Sequence, residues 1–538
     1  MLVYLVIIPI IIAVFLYVFP SSKIGRLIVI ATQAFLVYLS VYLFIICKEG
    51  DIVTGIGNFD SVLGILLKAD SLSSVFVALT TFVFLIATIY SFHENNSRLF
   101  WFLLFIWEGL LIGIFLSCDM FNIFVLIEVA TIVVSILIMY NRGNRSMYDG
   151  MIYLMVNVVV VQFYLFGIGY VYKLTGVLDM DTALRTIRTL DKTSLILPYA
   201  LIMTAVSLKC AFIPLFSWLP KAHGTPGAPS SVSAILSGLH IKFGVYLFIR
   251  FQAFFQDIAT PDFFLAIGII TGIVGFIMAL SQSDIKLILA YHTISQIGLI
   301  TIGLNIPDTY AFTGGLYHVI NHTLFKSALF LSAGMISNLY GTRDIYKIHG
   351  VFRRSPLIGI VTVIAVFGIT GAPLFNGSIS KYFIVSGTNW LVSGAIIIIN
   401  LGTIISFIKY SSMLFGHCKN EYEHVKIDRW QQTAVLILGS LCFAGGIFGE
   451  QFVKLLFNIN VSVDTAGYLQ KTALFAVSGI AGYFIFKYYV KKSVLLKRLC
   501  VADFSFRSMC VCIGIFFAIL IIVTKLFSMP MFQAFLSV

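Results

Sequence analysis

Long apolar runs follow one another along most of this chain, and short polar segments separate them. A run of about 18–25 apolar residues matches the thickness of a bilayer when it forms an α-helix. The pattern therefore predicts an all-α integral membrane protein. The sixteen predicted helices cover 2–20, 27–47, 72–92, 99–117, 120–140, 150–173, 194–217, 230–250, 262–281, 286–304, 310–337, 357–386, 390–415, 432–450, 468–486 and 509–527.

Two of these predicted helices, 194–217 and 357–386, run into residues that interrupt a helix. Proline removes a backbone donor and glycine loosens the helix, so both spans should break or unwind within the membrane. Paired interruptions in the two halves of a chain indicate the inverted repeats of a transporter, with an ion site at the breaks. The interrupting residues are Pro214, Pro220 and Pro226 in the first case and Gly371, Pro373 and Gly377 in the second.

The predicted helices group into four regions, and each of the two repeats contains one of the breaks. Three N-terminal helices occupy 1–98, and a first five-helix repeat occupies 99–250. A second five-helix repeat occupies 262–415, and further C-terminal helices occupy 432–538. Because each repeat crosses the membrane an odd number of times, the second repeat must run inverted relative to the first.

Composition supports the membrane assignment and limits the function classes. Hydrophobic residues make up 59% of the 538 positions and charged residues only 11%, with a mean hydropathy of +1.01. A soluble domain carries about 25% charged residues. The net charge of +12 comes from Lys and Arg concentrated in loops on one predicted side, which is the positive-inside pattern. We therefore expect a multi-pass protein of the plasma (inner) membrane with both termini outside, and no nucleic-acid partner.

Motifs for redox or hydrolytic chemistry are missing from the sequence. The eight cysteines form no C-x-x-C pair and no His/Cys metal spacing, and neither a dinucleotide fingerprint nor a P-loop occurs. We therefore expect no metal and no cofactor in this chain. Any redox or ATP-driven step coupled to it must take place on another subunit.

A carboxylate and a lysine inside predicted spans are the first candidate site residues. Glu128 lies in the middle of 120–140, and Lys209 precedes the first break. A charge near the membrane centre costs roughly 2.5–3.5 kcal/mol on insertion scales, so such residues usually bind or move charge. Burial favours the neutral form of a lysine, which lets a neighbouring carboxylate control its proton. The alternative is a structural salt bridge.

The later spans add a second lysine and a polar stripe. Lys242 lies in the middle of LHIKFGVYLFIR, two residues after His240. His318, His322 and Lys326 recur at every fourth position, so they share one helix face. Histidine titrates near neutral pH, and such a row can pass protons through intervening waters. Structural polar contacts or a two-histidine metal site are the alternatives for the stripe.

Two more candidate residues lie near the breaks, and a third lies at the end of a later span. Lys381 follows the second break and resembles Lys209 in being a single cation beside unwound backbone. Lys409 lies near the end of 390–415, where snorkelling to the interface explains it as well as a role in transport does. His223 lies in the loop after the first break, and we treat it with Lys409 as a candidate for proton access from the cytoplasm.

These segments together resemble the antiporter-like subunits of Mrp-type cation/proton antiporters, respiratory complex I and energy-converting hydrogenases. The resemblance rests on CDMFNIFVLIEV, on the block from SLKCAFIPLFSWLPKAHGTPGAPSS to GLHIKFGVYLFIR, and on YHVINHTLFKSALFLSAG and GAPLFNGSISK. It implies about fourteen core helices with two inverted five-helix repeats, followed here by about two extra C-terminal helices. The segment around Glu128 is most similar to the D subunit of Mrp-type antiporters.

The resemblance also implies roles and partners. It assigns the buried acid to Glu128, its paired lysine to Lys209, the connecting lysine to Lys242 and the terminal lysine to Lys381, with His318, His322 and Lys326 on the relay helix. It implies other membrane subunits as partners and protons, with sodium as a candidate counter-ion, as substrates. Two parent assemblies stay open, a sodium/proton antiporter and a proton-pumping complex I-type oxidoreductase or hydrogenase.

Overall fold

α-Helices make up nearly all of the structure, a computed structural model that describes residues 1–19, 23–58, 64–416, 427–500 and 504–528. The one sheet among these residues is an antiparallel hairpin of β1 (Ile52–Gly55) and β2 (Leu66–Ala69). The end of the predicted helix 2–20 and most of the segment between 415 and 432 lie outside the described residues. So does the chain after 528.

The helices of the first half begin and end as follows. They are α1 (Leu2–Val18), α2 (Lys23–Ile46), α3 (Ser71–Ser91), α4 (Arg98–Leu116), α5 (Met120–Ile138), α6 (Asn144–Thr175), α7 (Met180–Ile187), α8 (Lys192–Lys209), α9 (Trp218–Gly224), α10 (Ser230–Ile235) and α11 (Ile241–Phe254). A π-helical turn, Leu236–His240, joins α10 to α11.

The second half of the chain contains twelve further helices within the described residues. Its helices are α12 (Pro261–Ser281), α13 (Ile285–Leu304), α14 (Thr309–Tyr340), α15 (Val351–Arg354), α16 (Pro356–Thr370), α17 (Asn376–Ser386), α18 (Trp390–Ser411), α19 (Arg429–Ile447), α20 (Gly449–Phe457), α21 (Thr465–Tyr488), α22 (Val494–Leu499) and α23 (Phe506–Ser528).

Thirteen helices of the described residues are long and apolar enough to cross a membrane. The apolar helices α1 and α16 are shorter, and α16 is continued by α17 after a break. The predicted fold class, an all-α integral membrane protein, is confirmed. The number of crossings and the repeat boundaries stay predictions.

The loops that connect the helices lie at two opposite ends of the bundle. The hairpin end carries β1–β2, and there the backbone of Cys118 and Met120 pairs with Leu66 and Leu178. At the opposite end, which we call the arginine end, Arg343 bonds both Asp284 and the carbonyl of Gly224. Successive long helices run between these two ends, so the position of a residue along its helix gives its depth.

One series of features occurs twice with the same spacing along the chain. Asp119, which begins α5, bridges to Asp179, and Asp284, which begins α13, bridges to Asp344. The second helix after each first aspartate, α6 or α14, has 32 residues and ends at a left-handed glycine, Gly176 or Gly341. The first set lies at the hairpin end and the second at the arginine end.

Both predicted interruptions appear as breaks between short helices. α8 ends at Lys209, and Ala211 has a φ of 54° before the chain resumes as α9. α16 ends at Thr370, and the following Gly371 and Leu374 have φ values of 77° and 70° before α17 begins. An L-residue rarely adopts such a φ, so the chain leaves the helix sharply at both places.

The C-terminal helices pack along the outside of the bundle. α21 packs on α18, α22 lies against α12, and α23 packs on α8 and α6. Phe516 and Phe517 of α23 contact Phe263 of α12 and Phe163 of α6. The last helices therefore cross from the second predicted repeat back to the first.

A buried row of lysine and histidine side chains

Titratable side chains lie deep inside the helix bundle at both breaks and between them. Eight of the predicted site residues are buried, with 4% or less of their surface exposed: Lys209, His223, Lys242, His318, His322, Lys326, Lys381 and Lys409. Buried charges need hydrogen-bond partners or opposite charges to be tolerated. The partners of each side chain therefore indicate what the row can do.

Lys209 lies at the last position of α8, where the first break begins. Its Nζ donates to Asn157 Oδ1 at 2.7 Å and to Thr131 Oγ1 at 3.2 Å. The C-terminal end of a helix carries partial negative charge, which favours a cation there. Gly244 of α11 packs directly on this residue, since a Cβ at that position would lie 2.7 Å from the Lys209 carbonyl carbon.

Glu128 of α5 lies close enough to Lys209 for the two charges to act on each other. The carboxylate is only partly buried, and its Oε1 has no hydrogen-bond partner among the described residues. The lysine thus bonds neutral side chains while the acid stands nearby. The predicted acid and lysine lie near each other, and Lys209 donates its hydrogen bonds to Asn157 and Thr131.

The π-helical turn before α11 positions Lys242. Its Nζ donates to the Ser237 carbonyl at 2.9 Å, which lies inside that turn, and it contacts His322 Nδ1 of α14. A π-helical turn widens the helix and leaves carbonyls outside the regular bonding pattern, and such turns are frequent at functional sites. Lys242 therefore joins the first predicted repeat to the stripe on α14.

His318 and His322 continue the row along α14, with ring centroids 6.5 Å apart. His318 Nδ1 lies 2.8 Å from Ser380 Oγ of α17, and its Nε2 lies 3.0 Å from Gln296 Oε1 of α13. The four-residue spacing predicted a common face, and both rings do point into the same buried region. His318 thereby reaches the helix that carries Lys381.

Lys381 of α17 reaches back across the second break. Its Nζ donates to the Ile369 carbonyl at 2.6 Å and to Asn400 Oδ1 of α18 at 2.7 Å. Ile369 lies in the last turn of α16, so this lysine also sits at the carbonyl end of a broken helix. The two break lysines therefore occupy the same kind of electrostatic position.

Lys326 leads from the row toward the arginine end. It lies two turns beyond His318 on α14, and its Nζ donates to the Leu289 carbonyl at 2.6 Å. His223 of α9 lies near it, fully buried and stacked on Phe330 at 4.8 Å. Both ring nitrogens of His223 lack a protein partner among the described residues. The candidate access residue is thus an interior group beside Lys326.

Lys409 has a different environment. Its Nζ donates to the backbone carbonyls of Leu280 and Gln282, at the end of α12. A cation that satisfies the last carbonyls of a helix is a common capping arrangement. This geometry favours a structural role over one in proton access.

The structure also places several polar residues that sequence reasoning missed. Asn157, Gln296 and Asn400 each bond a titratable member of the row, although a lone amide in an apolar span was the only signal for them. His292 is fully buried beside Phe407, and neither ring nitrogen has a protein partner among the described residues. A mid-span histidine in 286–304 could have been singled out by the reasoning that found His318.

Glu108 is a second buried acid that the sequence reasoning passed over. It is fully buried on α4, and Gln33 Nε2 of α2 lies 2.5 Å from its Oε2. The neighbouring Trp107 donates to His240 Nδ1 at 3.2 Å, so Glu108 points away from the row. This acid is separate from the lysines described above.

A cavity of about 420 Å³ lies at the arginine end beside the first break. α9 supplies Lys221 and Gly224 to its wall, and α13 supplies Tyr291. Arg145, Asp149 and Gln282 add polar groups from other elements. Space lined with charge is therefore present next to the break that carries Lys209.

Comparison with known protein families identifies the central part of the chain. Residues 117–408 match the transmembrane family described as NADH:quinone oxidoreductase/Mrp antiporter. The D subunit of the Na(+)/H(+) antiporter of Alkalihalophilus pseudofirmus is 29% identical over 419 residues, which cover 75% of this chain and 84% of the relative. A putative antiporter subunit, mnhD2, of Staphylococcus saprophyticus is 28% identical over 82% of this chain and 91% of its own.

Solved structures share the fold. A chain of the Mrp complex from Dietzia sp. DQ12-45-1b superposes with a TM-score of 0.79 at 20% identity, over 93% of this chain and 99% of that one. A chain of the membrane-bound sulfane sulfur reductase, an archaeal respiratory membrane complex, also gives 0.79, at 21% identity and over 89% of this chain and 99% of its own. The resemblance predicted from the sequence is thereby confirmed.

Proposed function

Because this chain belongs to the NADH:quinone oxidoreductase/Mrp antiporter transmembrane family, we propose that it is the proton-translocating subunit of a multisubunit monovalent cation/proton antiporter. Sodium is the proposed exchanged ion, since the relative in Alkalihalophilus pseudofirmus is named a Na(+)/H(+) antiporter subunit. Protons would move along the buried row between the two breaks.

The observation that carries this proposal is the continuity of the row across both halves of the bundle. Lys242 contacts His322 between α11 and α14, and His318 contacts Ser380 between α14 and α17. Several ionisable side chains retained at mid-depth in a membrane protein mark a proton or ion pathway. A structural role alone would not require the row to extend from the first predicted repeat to the second break.

Glu128 is the proposed control element of the row. When the carboxylate approaches Lys209, the negative charge holds the proton on the lysine. When the two move apart, Lys209 keeps only the neutral Asn157 and Thr131 as acceptors, and the proton can pass on. Lys242, His318 and His322 then carry it toward Lys381, and Lys326 with His223 provides a branch to the arginine end.

The surface around Glu128 supports a partner subunit. Phe121, Val125, Val129 and Ile132 of the same helix are all exposed. An acidic side chain facing lipid is costly, so such residues in membrane proteins almost always face protein or a water-filled cavity. Another membrane subunit of the complex is therefore the proposed neighbour of this face of α5, and lipid covers the outer helices.

The charges at the two ends support an orientation in the plasma membrane. The arginine end holds Arg142, Arg145, Arg343, Arg353 and Arg354, and we propose that it faces the cytoplasm. The start of α1 and the end of α23 then lie outside, and residues 529–538 are not among the described residues. The repeated series beginning at Asp119 and Asp284, at opposite ends of the bundle, supports the proposal that 99–250 and 262–415 are inverted copies.

A proton-pumping subunit of a redox-driven complex is the second candidate function. The fold is shared with a chain of an archaeal respiratory membrane complex, and no group of His, Cys, Asp and Glu within the described residues could hold a metal ion. In that setting the same row would be driven by a redox partner. The partners that copurify with this chain separate the two candidates.

Replacement of Lys209 by alanine in the complete complex tests the proposed function. The complex is reconstituted in vesicles, and proton movement in response to a sodium gradient is followed with a pH-sensitive dye. We expect Lys209→Ala to abolish the flux while the complex still assembles. Lys192→Ala is the matched control, because Lys192 is an exposed residue of the same helix. Near-normal flux in Lys209→Ala would refute the proposed pathway.

A further inference from the structure

The start of α21 is bound to the second break by several hydrogen bonds. Tyr468 Oη accepts from the Leu374 amide at 3.1 Å and from Ser378 Oγ at 3.0 Å. Tyr382 Oη accepts from the Asp464 amide at 3.2 Å. The break that carries Lys381 is thus closed on its outer side by a helix that lies beyond the matched family region, which ends at 408.

α21 also brings a lysine to this break. Lys471 Nζ donates to the Ser378 carbonyl and lies 5.7 Å from the centre of the Tyr382 ring. Ser378 is three residues before Lys381 on α17, on the side of the break that faces the hairpin end. Residues three apart on a helix are neighbours on its surface, so Lys471 binds the backbone about one turn from Lys381.

Snorkelling does not account for this placement. Lys471 is six residues after the start of α21, or about 9 Å into the helix at 1.5 Å per residue. A snorkelling lysine extends along its helix toward the membrane surface and leaves its ammonium group in water. Lys471 instead points across to the backbone of α17 beside the second break, where the positive charge of Lys381 disfavours a second ammonium group.

We propose that Lys471 extends the proton row beyond Lys381 and is the residue that exchanges protons with the hairpin end. This inference rests on the proposed function. The Lys381 ammonium group gives one proton to the neutral amine of Lys471, which becomes an ammonium group. Lys471 then releases that proton to water at the hairpin end, past Tyr382, Tyr468 and Asp464, and no other bond changes.

The test uses the complete complex in vesicles and replaces Lys471 by glutamine, by arginine and by histidine in separate variants. Lys471→Gln keeps the polarity and much of the length of the side chain but cannot carry a proton, and we expect at least a tenfold loss of flux. Lys471→Arg keeps the charge and the hydrogen bond to Ser378 but holds its proton too firmly to release it, so we expect a similar loss. Lys454→Gln, at an exposed lysine of the neighbouring α20, is the control and should transport normally.

Lys471→His supplies a readout that a purely structural lysine would not change. An imidazole exchanges protons around its ordinary pKa of about 6.5. Flux through this variant should therefore return when the solution at the hairpin end is near pH 6–7 and fall as that solution becomes alkaline. The groups facing this position are Lys381 and Tyr382 of α17, His318 of α14, and Tyr468 and Asp464 at the start of α21.

The possible outcomes separate this inference from the proposed function. Normal proton flux in Lys471→Gln, together with no flux in Lys209→Ala, would overturn the proposed role of Lys471. The proton pathway of the proposed function would still stand. Flux restored by Lys471→Arg with no pH dependence in Lys471→His would also overturn it, because charge alone would then suffice. Absence of flux in the wild-type complex would overturn the proposed function and this inference with it.

Discussion

The two breaks hold their lysines in similar positions but surround them differently. Lys209 ends α8 itself, whereas Lys381 lies on α17 and reaches back to the Ile369 carbonyl of α16. Each side chain thus sits at the carbonyl end of a broken helix, and each also bonds one asparagine, Asn157 or Asn400. The breaks differ in their charged neighbours, since Glu128 stands beside the first and Lys471 beside the second.

This difference indicates a division of labour. A carboxylate near the first lysine holds a proton until the acid moves, so the first break is suited to control. A second cation near Lys381 repels its charge, so the second break is suited to release. The row between them, through Lys242 and the histidines of α14, has no carboxylate partner among the described residues and can pass protons in either direction.

The largest expected effect is the loss of either break lysine. Lys381→Ala should lower proton flux by about 100-fold, as the removal of a proton-transferring group commonly does. The matched control is Lys347→Ala, since Lys347 is exposed at the arginine end. The measurement is dye-monitored proton flux in reconstituted vesicles. Normal flux in Lys381→Ala beside an inactive Lys209→Ala would show that only the first break conducts.

A smaller effect should follow from removal of the controlling acid. Glu128→Gln keeps the shape of the side chain but removes its charge, and flux should fall about tenfold, which corresponds to about 1.4 kcal/mol. Glu49→Gln is a suitable comparison, because Glu49 is exposed at the hairpin end. If Glu128→Gln abolished flux completely, the acid would itself carry the proton and the distinction between control and transfer would be wrong.

The two asparagines offer a direct comparison of the breaks. Asn157→Leu and Asn400→Leu each remove one hydrogen bond from a break lysine that keeps another acceptor. We expect each substitution to lower flux about threefold, the effect of losing roughly 0.5–1.5 kcal/mol. Initial rates of proton flux in vesicles of equal protein content measure this. A loss confined to one variant would mean that the breaks limit the rate unequally.

The smallest effect on transport is expected at Lys409. Lys409→Met leaves the carbonyls at the end of α12 without their donor, which should lower the free energy of unfolding by about 1–2 kcal/mol. Proton flux per assembled complex should stay near that of the wild type. Thermal unfolding in detergent and flux in vesicles are measured on the same preparation. A large loss of proton flux without a loss of stability would instead support the role in proton access that the sequence predicted for Lys409.

The sequence predicted the large features because each has a strong local signal. Apolar runs of bilayer length predicted the all-α membrane fold, and proline and glycine in two spans predicted the breaks. Charges inside apolar runs predicted Lys209, Lys242 and Lys381, and the four-residue spacing predicted the stripe on α14. Whether these residues transport protons remains a prediction, as do the repeat boundaries.

The missed features depend on contacts between distant parts of the chain. Asn157 and Asn400 were unremarkable polar residues until the fold brought them to the break lysines. Lys471 was overlooked because the C-terminal helices carry no motif of the family, and only packing shows that α21 reaches the second break. Lys409 looked ambiguous in sequence, and its bonds to the backbone carbonyls of Leu280 and Gln282 became visible only in the structure.

The π-helical turn at Leu236–His240 makes the environment of Lys242 unusually sensitive to chain length. Such a turn holds one residue more than an α-helical turn, so deletion of a single residue here would return the helix to α geometry and pair its carbonyls within the helix. The ammonium group of Lys242 would then lose the Ser237 carbonyl as its acceptor although every side chain of the row remained present. Insertions and deletions here should therefore be far less tolerated than substitutions of the apolar residues around them.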